Sequence, residues 1–142
     1  MKNILIVDND LDFVFRLCQV LDAAGYEAVP ATNIPEAVAA LKELDVWVDV
    51  LIARHSLPGA DRFAAELRAS QKGQVKAIAL LDQNDEPSEP TAVWDGWQVK
   101  LNISDATAQS MFVSLVQFAL TKGRHGQISP AITSAVSGHS QF

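Results

Sequence analysis

Several features are scarce in this sequence, and each absence excludes a class of protein. The 142 residues contain one cysteine, Cys18, so an internal disulfide and a cysteine-rich metal site are both excluded. Only 11 basic residues stand against 17 acidic ones, and the formal net charge is −6. This balance argues against a protein whose main task is to bind nucleic acid, because phosphate binding needs clustered Lys and Arg.

Long apolar runs are also missing. The run at residues 4–7 is too short for a signal peptide, and no stretch approaches the roughly 18 apolar residues of a membrane span. No G-x-G-x-x-G or G-x-x-x-x-G-K motif follows a strand-like run, so a nucleotide-binding loop is unsupported. No nucleophile–base pair or metal constellation stands out. We therefore expect a cytoplasmic globular protein that is not an enzyme, holds no cofactor, and binds neither nucleic acid nor membrane.

Short apolar runs alternate with helical patterns along the chain. Five strands are predicted, at 4–7, 26–31, 46–53, 75–81 and 97–101. Pro30 suggests an edge position for the second strand, or the end of that strand. Apolar residues at helical spacing predict helices after the first three strands, and a long final helix from Ser104-Asp105 to about Lys122. Residues 82–90 are polar and contain two prolines, so a helix there must be short or irregular.

This alternation predicts an α/β fold, a three-layer αβα sandwich with a five-stranded parallel sheet of order 2-1-3-4-5. Ligands of such sheets bind beyond the carboxyl ends of the strands, where the strand order reverses. Asp8, Asn9 and Asp10 leave the first strand at that edge, and Arg54 leaves the third. Lys100 lies near the end of the fifth strand and reaches the same edge.

Three motifs make residues 2–122 resemble the receiver domain of two-component response regulators, the CheY-like family. They are Ile-Leu-Ile-Val-Asp-Asn-Asp at 4–10, Leu-Pro-Gly-Ala-Asp at 57–61 and Val-Lys at 99–100. The resemblance implies a receiver-like domain at 1–123 with a role in phosphorelay signalling. A tail at 124–142 follows, in which Ser129-Pro130 and Gly138 predict a short helix.

In that family an acidic pair after the first strand holds Mg²⁺, and an aspartate ending the third strand accepts a phosphoryl group from a histidine kinase. Here Asp8 matches the first acid of the pair, but Asn9 is neutral, and Asp10 follows as an additional acid. Counting back four residues from Pro58 places Arg54 at the phosphoacceptor position. A guanidinium is protonated at any relevant pH and is no nucleophile. Conventional phosphorylation is not expected, and Mg²⁺ binding should be weak or lost.

Two further positions complete the family pattern. The hydroxyl residue that ends the fourth strand in receivers corresponds to Leu81, or to Asp82 if the register slips by one residue. Lys100 matches the lysine that contacts the phosphoryl oxygens. We expect Arg54 to pair with Asp8 or Asp10, with Lys100 nearby, which would bring the edge close to neutral without an ion.

The altered site leaves several interpretations open. One is a pseudo-receiver that is locked in one conformation and recognised by a partner, and another is a decayed site whose remaining charges are merely solvated. A functional phosphorelay receiver with an unusual acceptor, Asp8 or Asp10, is a third. The fourth is a flavodoxin-like domain that binds a small ligand at this edge.

Apolar residues surround most of the predicted final helix. Four of them widen its apolar surface beyond a single face: Phe112, Val113, Val116 and Leu120. In receivers this helix belongs to the face used for dimers and effector contacts. We therefore expect a protein partner or a homodimer to bind through the last helix and the fifth strand, in preference to packing by the tail. Trp94 and Trp97, which flank Asp95-Gly96, are interpreted as core cover for a shortened helix, with aromatic anchors for a partner as the alternative.

Overall fold

Strands and helices alternate along the chain in the computed structural model, which describes residues 1–83 and 91–121. The described elements are β1 (Asn3–Val7), α1 (Leu11–Ala23), β2 (Glu27–Ala31), α2 (Ile34–Leu44), β3 (Val50–Arg54), α3 (Ala60–Ser70), β4 (Lys76–Leu81), β5 (Gly96–Val99) and α4 (Ala106–Thr121). The predicted end of the final helix at Lys122 and the tail helix after Ser129 lie outside the described residues. None of the helices in the described part is long and apolar enough to cross a membrane.

The five strands of the described residues are parallel and form one sheet in the order β2-β1-β3-β4-β5. This confirms the predicted α/β topology. The edge position predicted for the second strand is also confirmed, because β2, which contains Pro30, pairs with β1 alone among the described strands. The strand order reverses between β1 and β3, where Val7 lies opposite Ala53. The residues that follow this pair are Asp8 and Arg54.

The sheet is apolar on both faces because its central strands carry consecutive β-branched and aliphatic residues. In β1, Ile4 and Ile6 pack towards α1 and α4, while Leu5 and Val7 pack towards α2 and α3. All four side chains are fully buried. The two clusters together form the core, and the polar ends of the strands are therefore the places where charged side chains come together.

The third strand begins later than its apolar run predicts. Residues 46–49 lie outside β3, and at Val48 both backbone groups bond to the side chain of Gln71 instead of to a neighbouring strand. Gln71 receives a hydrogen bond from the Val48 amide at 2.9 Å and donates one to the Val48 carbonyl at 2.6 Å. The Asp49 carboxylate accepts a bond from the Asn3 amide at 2.8 Å. These contacts hold the chain beside the sheet before Val50 enters it.

The connection between β4 and β5 contains no helix within its described residues, 82–83 and 91–95; residues 84–90, on which part of the prediction rests, lie outside the description. Trp94 is buried there against the α2–α3 side of the core, and its Nε1 donates to Asp61 Oδ1 at 2.7 Å. Trp97 packs against the same cluster. The interpretation of both tryptophans as core cover is confirmed.

The apolar surface of α4 requires a correction. Phe112 and Val116 are fully buried against α1 and the sheet, and Phe112 packs edge-on against Phe13 with ring centroids 5.7 Å apart. Side chains that form the core of their own domain offer no surface to a partner. Val113 and Leu120 are only partly buried at the margin of this cluster. The predicted partner face is thus reduced to these two residues.

Candidate functional site

Four strand ends bring charged side chains together at the carboxyl edge of the sheet. Asp8 follows β1, Arg54 ends β3, Asp82 follows β4 and Lys100 follows β5. The register of the strands explains why these side chains lie close together. Arg54 lies opposite Leu80 in β4, and the Lys100 amide donates to the Leu81 carbonyl at 2.7 Å. The sequence prediction that residues 8–10, Arg54 and Lys100 share this edge agrees with this arrangement.

Lys100 contacts both acids of the first loop. Its Nζ lies 3.1 Å from Asp8 Oδ2 and 3.2 Å from Asp10 Oδ2. The contact with Asp8 is an ion pair without hydrogen-bond alignment, whereas Asp10 accepts a directed bond. The ammonium also lies 4.7 Å from the centroid of the Phe13 ring, a cation–π geometry. One lysine therefore compensates two neighbouring carboxylates.

Asp10 has a second role, as the N-cap of α1. Its Oδ1 accepts the Phe13 amide at 3.2 Å, and its own amide donates to Asp8 Oδ1 at 3.0 Å. The pKa of Asp10 is lowered from 3.8, chiefly by the Phe13 amide and further by Lys100, although partial burial opposes the shift. The carboxylate is held in its ionised form by the helix end and by the lysine.

Arg54 forms the other half of the cluster. Its Nη1 donates to Asn9 Oδ1 at 2.7 Å and its Nη2 to Asp82 Oδ2 at 2.6 Å. The expectation that Arg54 pairs with Asp8 or Asp10 is wrong. Lys100 takes both of those acids, and β4, the strand on the other side of Arg54, ends one residue before Asp82. Asp82 is the contact that sequence reasoning missed.

The receiver pattern assigns the hydroxyl position to Leu81, with Asp82 as the alternative register. The structure brings Asp82 into contact with Arg54, whereas Leu81 is the last residue of β4 and does not line the depression at this edge. The functional assignment of Leu81 stays a prediction. The sequence signal that could have pointed to this contact is an acid directly after the strand that neighbours Arg54.

An open depression of about 410 Å³ lies over this cluster. Its walls combine the charged groups with side chains of the β5–α4 connection; the lining residues are Asp10, Asp12, Phe13, Arg54, Asp82, Gln83, Lys100, Leu101, Asn102 and Ile103. Gln83 Nε2 donates to the Lys100 carbonyl at 3.2 Å. The depression is lined mainly by polar side chains whose charges already have partners in the chain.

The residues present do not fit Mg²⁺, which requires several anionic oxygens in near-octahedral order. Lys100 contacts an oxygen of both Asp8 and Asp10, and the Asn9 oxygen accepts from the Arg54 guanidinium. Within residues 1–83 and 91–121, no three His, Cys, Asp or Glu side chains are arranged to hold a metal ion. Two chain cations face three carboxylates, so the cluster is balanced to within one charge.

No protein-family model matches the sequence, and no curated protein matches it. Solved structures do match. The chain is similar to the chemotaxis response regulator CheY4 of Vibrio cholerae, with a TM-score of 0.62 and 26% identity over 80% of this chain and 98% of that one.

Two further matches have lower sequence identity. A two-component response regulator from Clostridium difficile gives a TM-score of 0.61 and 19% identity, over 80% of this chain and 96% of the other. A response regulator receiver domain protein from Clostridium thermocellum gives 0.61 and 16%, over 84% and 94%. The chain therefore has the fold of the response-regulator receiver domains, as the motifs at 4–10, 57–61 and 99–100 predict.

Proposed function

We propose that this protein is a receiver-like component of two-component phosphorelay signalling that acts through protein–protein contacts and is not phosphorylated at position 54. The similarity of its fold to receiver domains supports the signalling class. The contacts of Arg54 with Asn9 and Asp82 carry the second part of the proposal. A guanidinium stands where the phosphoacceptor is expected, and its hydrogen bonds fix it there.

Electrostatics explains why this arrangement opposes the usual chemistry. Phosphoryl transfer to a carboxylate needs a nucleophilic oxygen and a divalent cation that neutralises the phosphoryl oxygens. Arg54 supplies neither the oxygen nor a metal ligand. Two unit charges about 4 Å apart interact by roughly 4 kcal/mol at an effective dielectric near 20, so a guanidinium beside a metal position repels the metal strongly.

The retained acids are poor substitutes for the missing acceptor. Asp8 is fully buried, and Asp10 uses one oxygen as the cap of α1 and the other towards Lys100. An acceptor role for either residue would require these contacts to break first. We also propose that the protein is not an enzyme, because the charged groups of the depression are already paired with one another.

The partner prediction becomes part of this proposal in a reduced form. A protein partner or a second copy would contact the margin of α4, where Val113 and Leu120 are partly exposed, together with the edge strand β5. The alternative, a small ligand in the depression, has one supporting observation, namely its volume of about 410 Å³. A ligand-dependent rise in melting temperature would identify that function.

The deciding experiment is the intact mass of the full chain after incubation with acetyl phosphate, with and without Mg²⁺. A receiver that accepts phosphoryl groups serves as the positive control. We expect no adduct on the wild-type protein under either condition. A Mg²⁺-dependent gain of one phosphoryl group would overturn the proposal, and fragmentation would then show whether Asp8, Asp10 or Asp82 carries it.

A matched variant tests whether the two substituted positions cause the block. Asn9→Asp combined with Arg54→Asp replaces a cation and an amide by carboxylates beside Asp8. We expect this double variant to bind Mg²⁺ and to gain a phosphoryl group, because five carboxylates then face one chain cation instead of three facing two. Asn9→Asp alone, which keeps Arg54, should gain none. An inert double variant that is folded would show that the block lies elsewhere in the cluster.

A further inference from the structure

Helix α1 carries an apolar row on its solvent side. Leu11 and Phe15 are 53% and 54% exposed and lie one turn apart, so their side chains are neighbours on the helix surface. Phe13, which packs against Phe112 of α4, is two residues from each of them and therefore about 200° away around the helix. The row thus faces away from α4, and it is separate from the partner margin proposed there.

The neighbouring edge of the sheet extends this apolar surface. The Asp22 carboxylate, eleven residues and so about three turns after Leu11, accepts the Ala28 amide of β2 at 3.2 Å. This contact places the apolar row beside β2. The exposed Pro30 lies on the same face of the sheet as α1, because Ala28 packs towards α1 and side chains alternate along a strand.

Backbone pairing with an added strand is blocked at this edge. The Glu27 amide donates to the Lys2 carbonyl on the β1 side, and successive amides of a strand point to alternate sides. The amides at positions 28 and 30 would therefore point outward. The Ala28 amide is occupied by Asp22, and Pro30 has no amide hydrogen to donate. A partner at this surface therefore contacts side chains, not the strand backbone.

A charged row borders the apolar row on α1. Arg16 Nε lies 3.0 Å from Asp12 Oδ1, and both side chains are at least half exposed. Two copies of α1 that pack antiparallel about a two-fold axis place Leu11 of one copy against Phe15 of the other. The same arrangement places each Asp12 against the Arg16 of the other copy. A parallel arrangement would bring like charges together, so charge complementarity selects the antiparallel one.

We propose that a second copy of this chain binds on this surface, with the two α1 helices antiparallel. The contact buries the apolar rows of both copies and joins their charged rows into one network. Asp12 also lines the depression at the carboxyl edge of the sheet, so the Arg16 of the other copy reaches the border of that depression. The contact is small, and the dimer is therefore weak and dependent on concentration.

Sedimentation equilibrium of the full chain measures this association, in a concentration series that extends to about 1 mM because small interfaces are weak. We expect a monomer–dimer equilibrium in the wild type. Phe15→Glu should raise the dissociation constant about tenfold or more, because it places an unpaired charge in the apolar row. The control is Leu44→Glu, at a position of α2 that is 51% exposed, and it should associate as the wild type does.

Charge reversal tests the antiparallel pairing. Arg16→Asp and Asp12→Arg each place like charges opposite one another, and each should raise the dissociation constant about tenfold. A mixture of these two variants should form a heterodimer. The double reversal, Asp12→Arg with Arg16→Asp, should restore association with itself, because the charges are complementary again.

Three outcomes would overturn the proposal. A wild-type chain that stays monomeric throughout the series would show that the surface does not bind a second copy. A dimer that persists in Phe15→Glu, or that weakens equally in Leu44→Glu, would place the contact elsewhere. A double reversal that stays monomeric, with the circular dichroism of the wild type, would refute the antiparallel pairing.

Discussion

The two halves of the charged cluster use the same ion-pair chemistry in different surroundings. The side chains of Lys100 and Asp8 are 13% and 0% exposed, whereas those of Arg54 and Asp82 are 22% and 34% exposed. The buried half consists of residues that match the receiver pattern. The more open half contains Arg54, the position where the sequence departs from that pattern, and its acidic partner is Asp82, which follows β4.

This difference in burial indicates which ion pair stabilises the fold and which one determines what the site can bind. A buried charge that loses its partner is costly, because water cannot replace the lost interaction. A partly exposed pair is screened by solvent and contributes less. We therefore expect the Lys100 half to dominate folding stability, and the Arg54 half to decide what the edge of the sheet can bind.

The largest effect is expected for Lys100→Met, which keeps the aliphatic length and removes the charge. Asp8 would remain buried without compensation, and the free energy of unfolding should fall by about 3–5 kcal/mol, as for other broken buried pairs. Urea denaturation measures this loss. Adding Asp8→Asn to Lys100→Met should restore part of the stability, since the uncompensated charge is then gone. A single variant that loses less than about 1 kcal/mol would show that the pair is open to solvent.

A smaller effect is expected in the more open half. Arg54→Met should lower the free energy of unfolding by about 1–2 kcal/mol, because it removes two charge-assisted hydrogen bonds at a site with partial solvent access. A double-mutant cycle with Asp82→Asn isolates the pair, and its coupling energy should be about 1 kcal/mol. If the Arg54 and Lys100 variants were equally destabilising, the contrast between the two halves would be lost.

The two halves also differ in how much of their structure could be predicted from the sequence. The strands were predictable because continuous apolar runs such as residues 4–7 suit a sheet buried on both faces. The presence of Arg54 at the sheet edge followed from its place after the third run. Its contact with Asp82 did not, because several acids lie within reach and only side-chain geometry selects among them.

Helix α4 shows that the prediction of apolar contacts from sequence is limited in the same way. The sequence identified its wide apolar surface, yet Phe112 and Val116 proved to be core residues. Periodicity tells which residues leave water, but it does not tell whether the covering surface belongs to the same chain or to a partner.

The smallest effect concerns Asp10, which belongs to the buried half but is itself about half exposed. Its pKa is lowered from 3.8 in the folded protein, chiefly by the Phe13 amide. A carboxyl whose pKa falls on folding stabilises the native state above the unfolded value, and the contribution disappears as the pH drops through the folded pKa. Stability should therefore decline as the pH falls below about 4, in part through this residue.

Asp10→Asn is the matched variant, because asparagine also caps helices but does not titrate in this range. Urea unfolding at a series of pH values should show a shallower acid decline in the variant than in the wild type, with little change in the structure of α1. The difference should shrink at high salt, which screens the exposed contact with Lys100, but should not vanish, because the Phe13 hydrogen bond is local. Identical slopes in the two proteins would mean that Asp10 does not contribute, and that the acid sensitivity of this edge belongs to other carboxylates.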